Sequence, residues 1–232
     1  MTTILITGSS RGIGAATADA LAAAGAIVIG QGTASGIPAD FADPAAPSAL
    51  WETALAQAGG EIDVLINNAG VFEANPLDAA HDDWVANWER TLRINLTASA
   101  ELCRLAVRHW QARGAGGRIV NIASRAAYRG DSPAHWHYAA SKAGMVAMTK
   151  TIARGYAAQG ILAFAICPGF TMTGMAEDYL ASRGGDKLLA DIPLGRVADP
   201  AEVATAARFL ALEAPASMTG SVIDINGASY VR

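Results

Sequence analysis

The chain has 232 residues, with 17 Lys and Arg against 21 Asp and Glu, so its formal charge is −4 at neutral pH. Hydrophobic residues make up 52% and charged residues 16%, which excludes a mainly disordered chain and a nucleic-acid binder that works through a broad basic face. No uncharged apolar run reaches the roughly 18 residues of a membrane span; the longest, Ala20 to Gly30, is broken by Gly25. The opening Met1-Thr2-Thr3 has no basic region and no cleavage-like site, and two cysteines, Cys103 and Cys167, are too few for a disulfide framework. These features predict a cytoplasmic protein with reduced thiols.

In chain order, Ile4 to Ile6 reads as a strand and Gly12 to Ala24 as a helix ended by Gly25. Ala26 to Ile29 is a second strand, and Gly36 to Phe41 is the next strand-like piece. Only Gln31 to Ser35 lie between the last two, and that segment of Gly, Ser and Thr cannot hold a helix. A parallel connection normally takes a dozen or more residues, so the third strand is predicted to be reached by a bare loop. Pro47 to Ala58 is helical and Val64 to Ile66 a strand. Asp82 to Arg113 reads as one long helical stretch, and Arg118 to Ile122 as a strand. Trp136 to Gln159 is helical, Leu162 to Ile166 a strand, Pro200 to Leu212 a helix, and Val222 to Ile225 the last strand. Apolar strands alternating with helices predict a doubly wound parallel sheet with helices on both faces, in a single domain spanning 1–232. A lid over the substrate is expected at about 172–194.

The first strand runs into Thr7-Gly8-Ser9-Ser10-Arg11-Gly12-Ile13-Gly14 and then a helix. That order places backbone N–H groups and a helix N-terminus against a phosphate. Gly8 permits the tight turn, Gly12 the close approach, and Gly14 the packing of helix on strand. Tyr138 and Lys142 stand four apart in a helical stretch and so share a face. Ser124 follows a strand, at the carboxyl edge where open α/β sheets bind ligands.

Together, Thr7-Gly8-x-x-x-Gly12-x-Gly14, Asn67-Asn68-Ala69-Gly70, Asn95, Ser124, Tyr138-x-x-x-Lys142 and Pro168-Gly169 resemble, in order and spacing, the motif set of the short-chain dehydrogenase/reductase family. Within it the chain is similar to the 3-oxoacyl-carrier-protein reductases. The resemblance covers essentially the whole chain. It implies a Rossmann fold of about seven parallel strands, nicotinamide dinucleotide binding, and hydride transfer between the cofactor and a small carbonyl or alcohol substrate.

The resemblance implies that Asn95, Ser124, Tyr138 and Lys142 are catalytic. Tyr138 would give its proton to the carbonyl oxygen, Ser124 would position that oxygen, and Lys142 and Asn95 would restore the proton. A phenol ordinarily titrates near 10, so acting near neutrality asks for a shift of about three units, or roughly 4 kcal/mol. One cation about 4 Å away at an effective dielectric near 20 supplies about that much, and Lys142 is expected to be that cation, helped by the positive nicotinamide ring when the cofactor is oxidised. The Asn95 side chain is expected to distort its helix. Cofactor contacts are implied at Gly8, Ser10, Arg11, Gly12, Ile13, Gly14, Asn68, Ala69, Gly70, Tyr138, Lys142, Pro168, Gly169, Thr171 and Thr173.

No acidic residue stands at the end of the second strand to bind a ribose 2′-hydroxyl. Thr33 and Arg11 instead offer a hydroxyl and a cation to a 2′-phosphate, so NADP(H) is expected over NAD(H), with Asp40 and Phe41 flanking the adenine. No metal ligand pattern is present; His135 and His137 read as pocket lining. Arg125 and Arg129 follow Ser124 and could meet an anionic substrate group, though a solvated loop is the plainer reading. The helix from Trp136 is apolar or small on almost every face, which predicts burial against another subunit, in a homotetramer or a dimer. Two other readings are weaker. A dinucleotide sensor would not need the Ser, Tyr and Lys that are all kept here. A sugar-nucleotide epimerase or dehydratase would need a larger C-terminal part.

Overall fold

The computed structural model describes residues 1–172 and 189–232. Seven parallel strands form one sheet: β1 (Thr3–Ile6), β2 (Ile27–Gly32), β3 (Ile37–Pro38), β4 (Val64–Asn67), β5 (Gly117–Ile122), β6 (Ile161–Pro168) and β7 (Val222–Ile225). Their spatial order is β3-β2-β1-β4-β5-β6-β7, so the chain changes direction across the sheet between β1 and β4. Ligands of open α/β sheets bind at that switch point, over the carboxyl ends of the strands.

Helices α1 (Gly12–Ala23) and α7 (Pro200–Leu212) pack on one face. Helices α2 (Ala46–Gln57), α4 (Ala98–Arg113) and α6 (Trp136–Tyr156) pack on the other, while α3 (His81–Leu92) leads into α4 and α5 (Ala126–Arg129) follows β5. Successive strand residues feed opposite cores, as the two-residue period requires. Ile4, Ile6, Val64 and Ile66 join Leu21, Val203 and Leu210, whereas Leu5, Leu65 and Ile119 join Trp51, Leu102 and Trp110.

The bare loop expected before the third strand is present. Residues 33–36 join β2 to β3, which pair in parallel with Gln31 opposite Ile37 and Gly32 opposite Pro38. Gly36 makes this reversal possible: its φ is +66°, and a Cβ there would lie 2.2 Å from the Gly30 carbonyl oxygen. The buried Gln31 side chain then locks the corner. The Gly8 amide donates to Gln31 Oε1 at 2.9 Å, and Gln31 Nε2 donates to the Ala39 carbonyl at 2.7 Å.

The long stretch expected over Asp82 to Arg113 is continuous but not uniform. A π-helical turn, Arg93–Thr97, separates α3 from α4 and carries Asn95. Such a turn inserts one residue into the α ladder and is frequent at functional sites.

Candidate active site

The glycine turn and the β4 carboxyl end are stitched together. The Thr7 hydroxyl oxygen accepts from the amides of Asn68 and Ala69, both at 3.0 Å. Asn68 Nδ2 donates to the carbonyls of Thr7 and Gly8, each at 3.0 Å. The Asn68 amide group thus braces the turn from behind, and Ala69 and Gly70 carry the segment's backbone onward. A Cβ on Gly14 would lie 2.0 Å from the Gly8 carbonyl oxygen, so only glycine lets α1 start here.

Helix α1 begins with no side-chain cap: Arg11 occupies the N-cap, makes no capping bond and is exposed, as is Ser10. Helix α7 shows the contrast. There Asp199 and Glu202 form a capping box, with Ala201 N–H donating to Asp199 and Asp199 N–H donating to Glu202. The α1 terminus therefore offers its first-turn N–H groups to an anion such as a pyrophosphate.

Ser124 is carried by an extension of β5. Ala123 N–H donates to the Ile166 carbonyl at 2.7 Å and Arg125 N–H to the Pro168 carbonyl at 2.9 Å, so pairing with β6 holds the residue between them. The Ser124 hydroxyl accepts from Ala126 N–H at 3.1 Å, which starts α5. The Ser124 hydroxyl lies beside the Tyr138 phenol and favours its ionised form. One helical turn after Tyr138, Lys142 is buried and its Nζ donates to the Ile122 carbonyl at 2.9 Å. That Nζ stands 5.8 Å from the centre of the Tyr138 ring. Asn95 is fully buried in the π turn: Val71 N–H donates to its Oδ1 at 2.8 Å, and its Nδ2 donates to the Val71 carbonyl at 2.9 Å and to Ser141 Oγ at 3.3 Å. A Cβ on Gly70 would lie 3.2 Å from Asn95 Oδ1 and 3.5 Å from Lys142 Nζ. The fold thus gathers Gly70, Asn95, Ser124, Tyr138 and Lys142 at one edge of the sheet.

Burial pushes the Tyr138 phenol up to about 12, opposed by the Ser124 hydroxyl, and burial pushes Lys142 down to about 8. Lys142 is engaged with a backbone carbonyl and is itself desolvated. Desolvation disfavours the charged form of each group. Behind them, the buried Cys167 thiol is pushed up to about 11, first by burial and then by Asp224.

Other expected residues fall as follows. Thr33 and Asp40 are exposed, and Asp40 Oδ1 accepts from Ala42 N–H at 2.9 Å. The Phe41 ring is buried in the core cluster with Ile37, Leu50 and Trp51. Ile13 is half-buried and packs on the α1–α7 core. Gly169 lies against Asn226, with its N–H donating to the Ile225 carbonyl at 2.8 Å, and Thr171 forms a parallel bridge with Ala198. Thr173 and most of the expected lid lie outside the described residues. Two residues were missed. Gln31 escaped because its partners are distant in sequence. Asp191 binds both Arg125 and Arg129, at 3.4 and 2.6 Å, so those guanidinium groups meet a carboxylate of the protein itself.

A doubly wound sheet, a glycine turn before an uncapped helix and a Ser-Tyr-Lys group at the switch-point edge define a dinucleotide-dependent oxidoreductase of the Rossmann class. Comparison with known proteins agrees. The family model described as enoyl-(acyl carrier protein) reductase matches residues 28–228. The 3-oxoacyl-[acyl-carrier-protein] reductase of Escherichia coli (strain K12) is 34% identical over 98% of this chain and 96% of its own. The corresponding reductase of Synechocystis is 36% identical over 96% of this chain and 94% of its own. A solved structure from Beutenbergia cavernae, provisionally assigned as an NAD(P) dependent gluconate 5-dehydrogenase with bound NADP, superposes with a TM-score of 0.89. It is 32% identical and the match covers 98% of this chain and 96% of that one. A structure from Agrobacterium tumefaciens, provisionally assigned as a 2-deoxy-D-gluconate 3-dehydrogenase with bound NADP, gives 0.87 at 29% identity, over 100% of this chain and 97% of that one. The chain belongs to the short-chain dehydrogenase/reductase family, and it is an enzyme that acts with NAD(P).

Proposed function

We propose that the protein is an NADP(H)-dependent oxidoreductase that interconverts a small carbonyl compound and its alcohol, with Tyr138 as the acid and base. The observation that carries this reading is the gathering of Ser124, Tyr138 and Lys142 at one sheet edge, with Lys142 Nζ bound to the Ile122 carbonyl and 5.8 Å from the centre of the Tyr138 ring. The bound nicotinamide supplies or accepts the hydride. In the reducing direction Tyr138 gives its proton to the carbonyl oxygen, and Ser124 holds that oxygen and stabilises the charge developing on it. We read Lys142, pushed down to about 8, as the group that resupplies the phenol. Asn95 holds the loop that carries Gly70 against the Lys142 ammonium. In the oxidising direction the same groups take the proton away.

Cofactor binding falls to the α1 N-terminus, the backbone around Ala69 and Gly70, and the Pro168–Thr171 edge, with Thr173 beyond it. Exposed Arg11 and Thr33, with no acid beside them before Asp40, favour a 2′-phosphate. The relatives solved with NADP support that choice. We read the assembly as a homotetramer or dimer built on the outward faces of α4 and α6, where Ala140, Ala147 and Thr151 are exposed and small. Among the described residues no helix is long and apolar enough to cross a membrane, and the buried free thiols of Cys103 and Cys167 suit the cytoplasm. The test is loss of NADPH absorbance across a panel of carbonyl compounds, with Kd for NADPH and NADH measured alongside. NADPH binds more tightly, and Arg11→Ala lowers the ratio by about 10- to 150-fold, the worth of a charge-assisted phosphate contact. A wild-type preference for NADH, or a ratio unmoved by Arg11→Ala, refutes the cofactor choice.

A further inference from the structure

Beside the reacting phenol stands a row of aromatic rings that no step above uses. The Phe72 ring stacks on His135 with centroids 3.9 Å apart and planes 5° apart. It meets the Tyr138 ring edge-on at 4.7 Å and 82°. Phe72 comes from the loop after β4 and His135 from the turn before α6. Asn75 N–H donates to the Ala134 carbonyl at 2.8 Å and ties those two segments together. A short hydrogen bond of 2.6 Å between Ser132 Oγ and His135 Nδ1 fixes the imidazole. All three rings are half-buried, unlike the enclosed rings of Trp110 and Phe164, so they present faces rather than fill the core.

Among the described residues, the two guanidinium groups that follow Ser124 are already matched. Arg125 is buried, lies 4.8 Å over the Phe170 ring and pairs with Asp191 at 3.4 Å. Arg129 pairs with Asp191 at 2.6 Å and donates to the Ser229 carbonyl at 3.0 Å. A substrate carboxylate would have to displace Asp191 to reach either guanidinium. Burial lowers the His135 imidazole against the pull of Asp131, which favours its uncharged form.

We propose that Phe72 and His135 form the wall on which the non-reacting arm of the substrate lies, and that the preferred substrate is an uncharged ketone, or its alcohol, with a flat or apolar arm beside the reacting carbon. A sugar acid is then a poor substrate. The proposal rests on the oxidoreductase reading above. The experiment uses full-length protein with saturating NADPH and two probes, ethyl benzoylacetate and 5-ketogluconate, with NADPH affinity measured separately by fluorescence. The aryl ketoester has a kcat/KM about 100-fold higher than the sugar acid. Phe72→Ala raises KM for the ketoester about tenfold, the worth of an aromatic contact, with little change in kcat or in Kd for NADPH, and Phe72→Tyr restores it. Protein that binds NADPH but prefers 5-ketogluconate, or turns over neither probe, overturns the proposal alone. So does a Phe72→Ala variant that loses kcat equally on both. Wild-type protein that binds no NADPH overturns the oxidoreductase reading and the proposal with it.

Discussion

Asn95 grips the backbone of Val71 at both of its polar groups, accepting from the N–H at 2.8 Å and donating to the carbonyl at 2.9 Å. This pairing copies what a neighbouring strand would do, and the π turn aims the side chain at it. The loop so held carries Gly70 toward Lys142 and Phe72 toward Tyr138. Asn95→Ala leaves both Val71 groups without these partners, at a cost of about 2 kcal/mol by urea denaturation, and kcat falls with it. Asn95→Asp keeps the acceptor only and recovers part of the loss.

Gln31 predicts a link between stability and cofactor binding. Its amide bridges the Gly8 amide and the Ala39 carbonyl, so one side chain holds both the glycine turn and the corner that replaces a crossover helix. Gln31→Leu keeps the volume but strands one donor and one acceptor. The expected outcome is a loss of about 2 kcal/mol in stability together with weaker NADPH binding, read by thermal unfolding with and without NADPH.

Lys142 is a residue held against its own stability. Its folded pKa is about 8, against an ordinary 10.5, because burial disfavours the charge. Below pH 8 both folded and unfolded chains carry the proton, and the folded one is penalised by about 3 kcal/mol. Between about 8 and 10.5 only the unfolded chain holds it, so this group's contribution to stability rises with pH across that window. Tyr138 acts oppositely, with its proton held to about 12 in the folded chain, so stability falls above the ordinary value of 10. Lys142→Met abolishes turnover, flattens the rise above pH 8, and stabilises the protein at pH 7 by about 2 kcal/mol once the lost Ile122 hydrogen bond is counted. Denaturation curves at pH 7 and pH 9 check this.

The strands and most helices were legible because apolar runs and glycine or proline stops are local signals. The bare loop before β3 was legible for the same reason, since residues 33–36 offer no helix-forming stretch. The π turn was not visible as an element: adding one residue inside Asp82 to Arg113 leaves the apolar pattern on either side helical, and only the resemblance pointed to a distortion at Asn95. That the Phe41 ring belongs to the core with Trp51 was not legible, because a strand end does not say which face a ring takes. Spacing places Lys142 on the same helix face as Tyr138 but says nothing of its own desolvation or of the Ile122 carbonyl it serves. Arg125 and Arg129 were read without their partner, since Asp191 lies more than sixty residues away.

The central claim is that the Tyr138 hydroxyl moves the proton, and Tyr138→Phe tests it most directly because only that oxygen is removed. The ring keeps its edge-on contact with Phe72, so the fold and the affinity for NADPH stay close to wild type. With a ketone that the wild type reduces, kcat falls by about 10²- to 10⁴-fold, the usual worth of a positioned acid. A Tyr138→Phe protein that binds NADPH normally and still turns over near the wild-type rate contradicts the account.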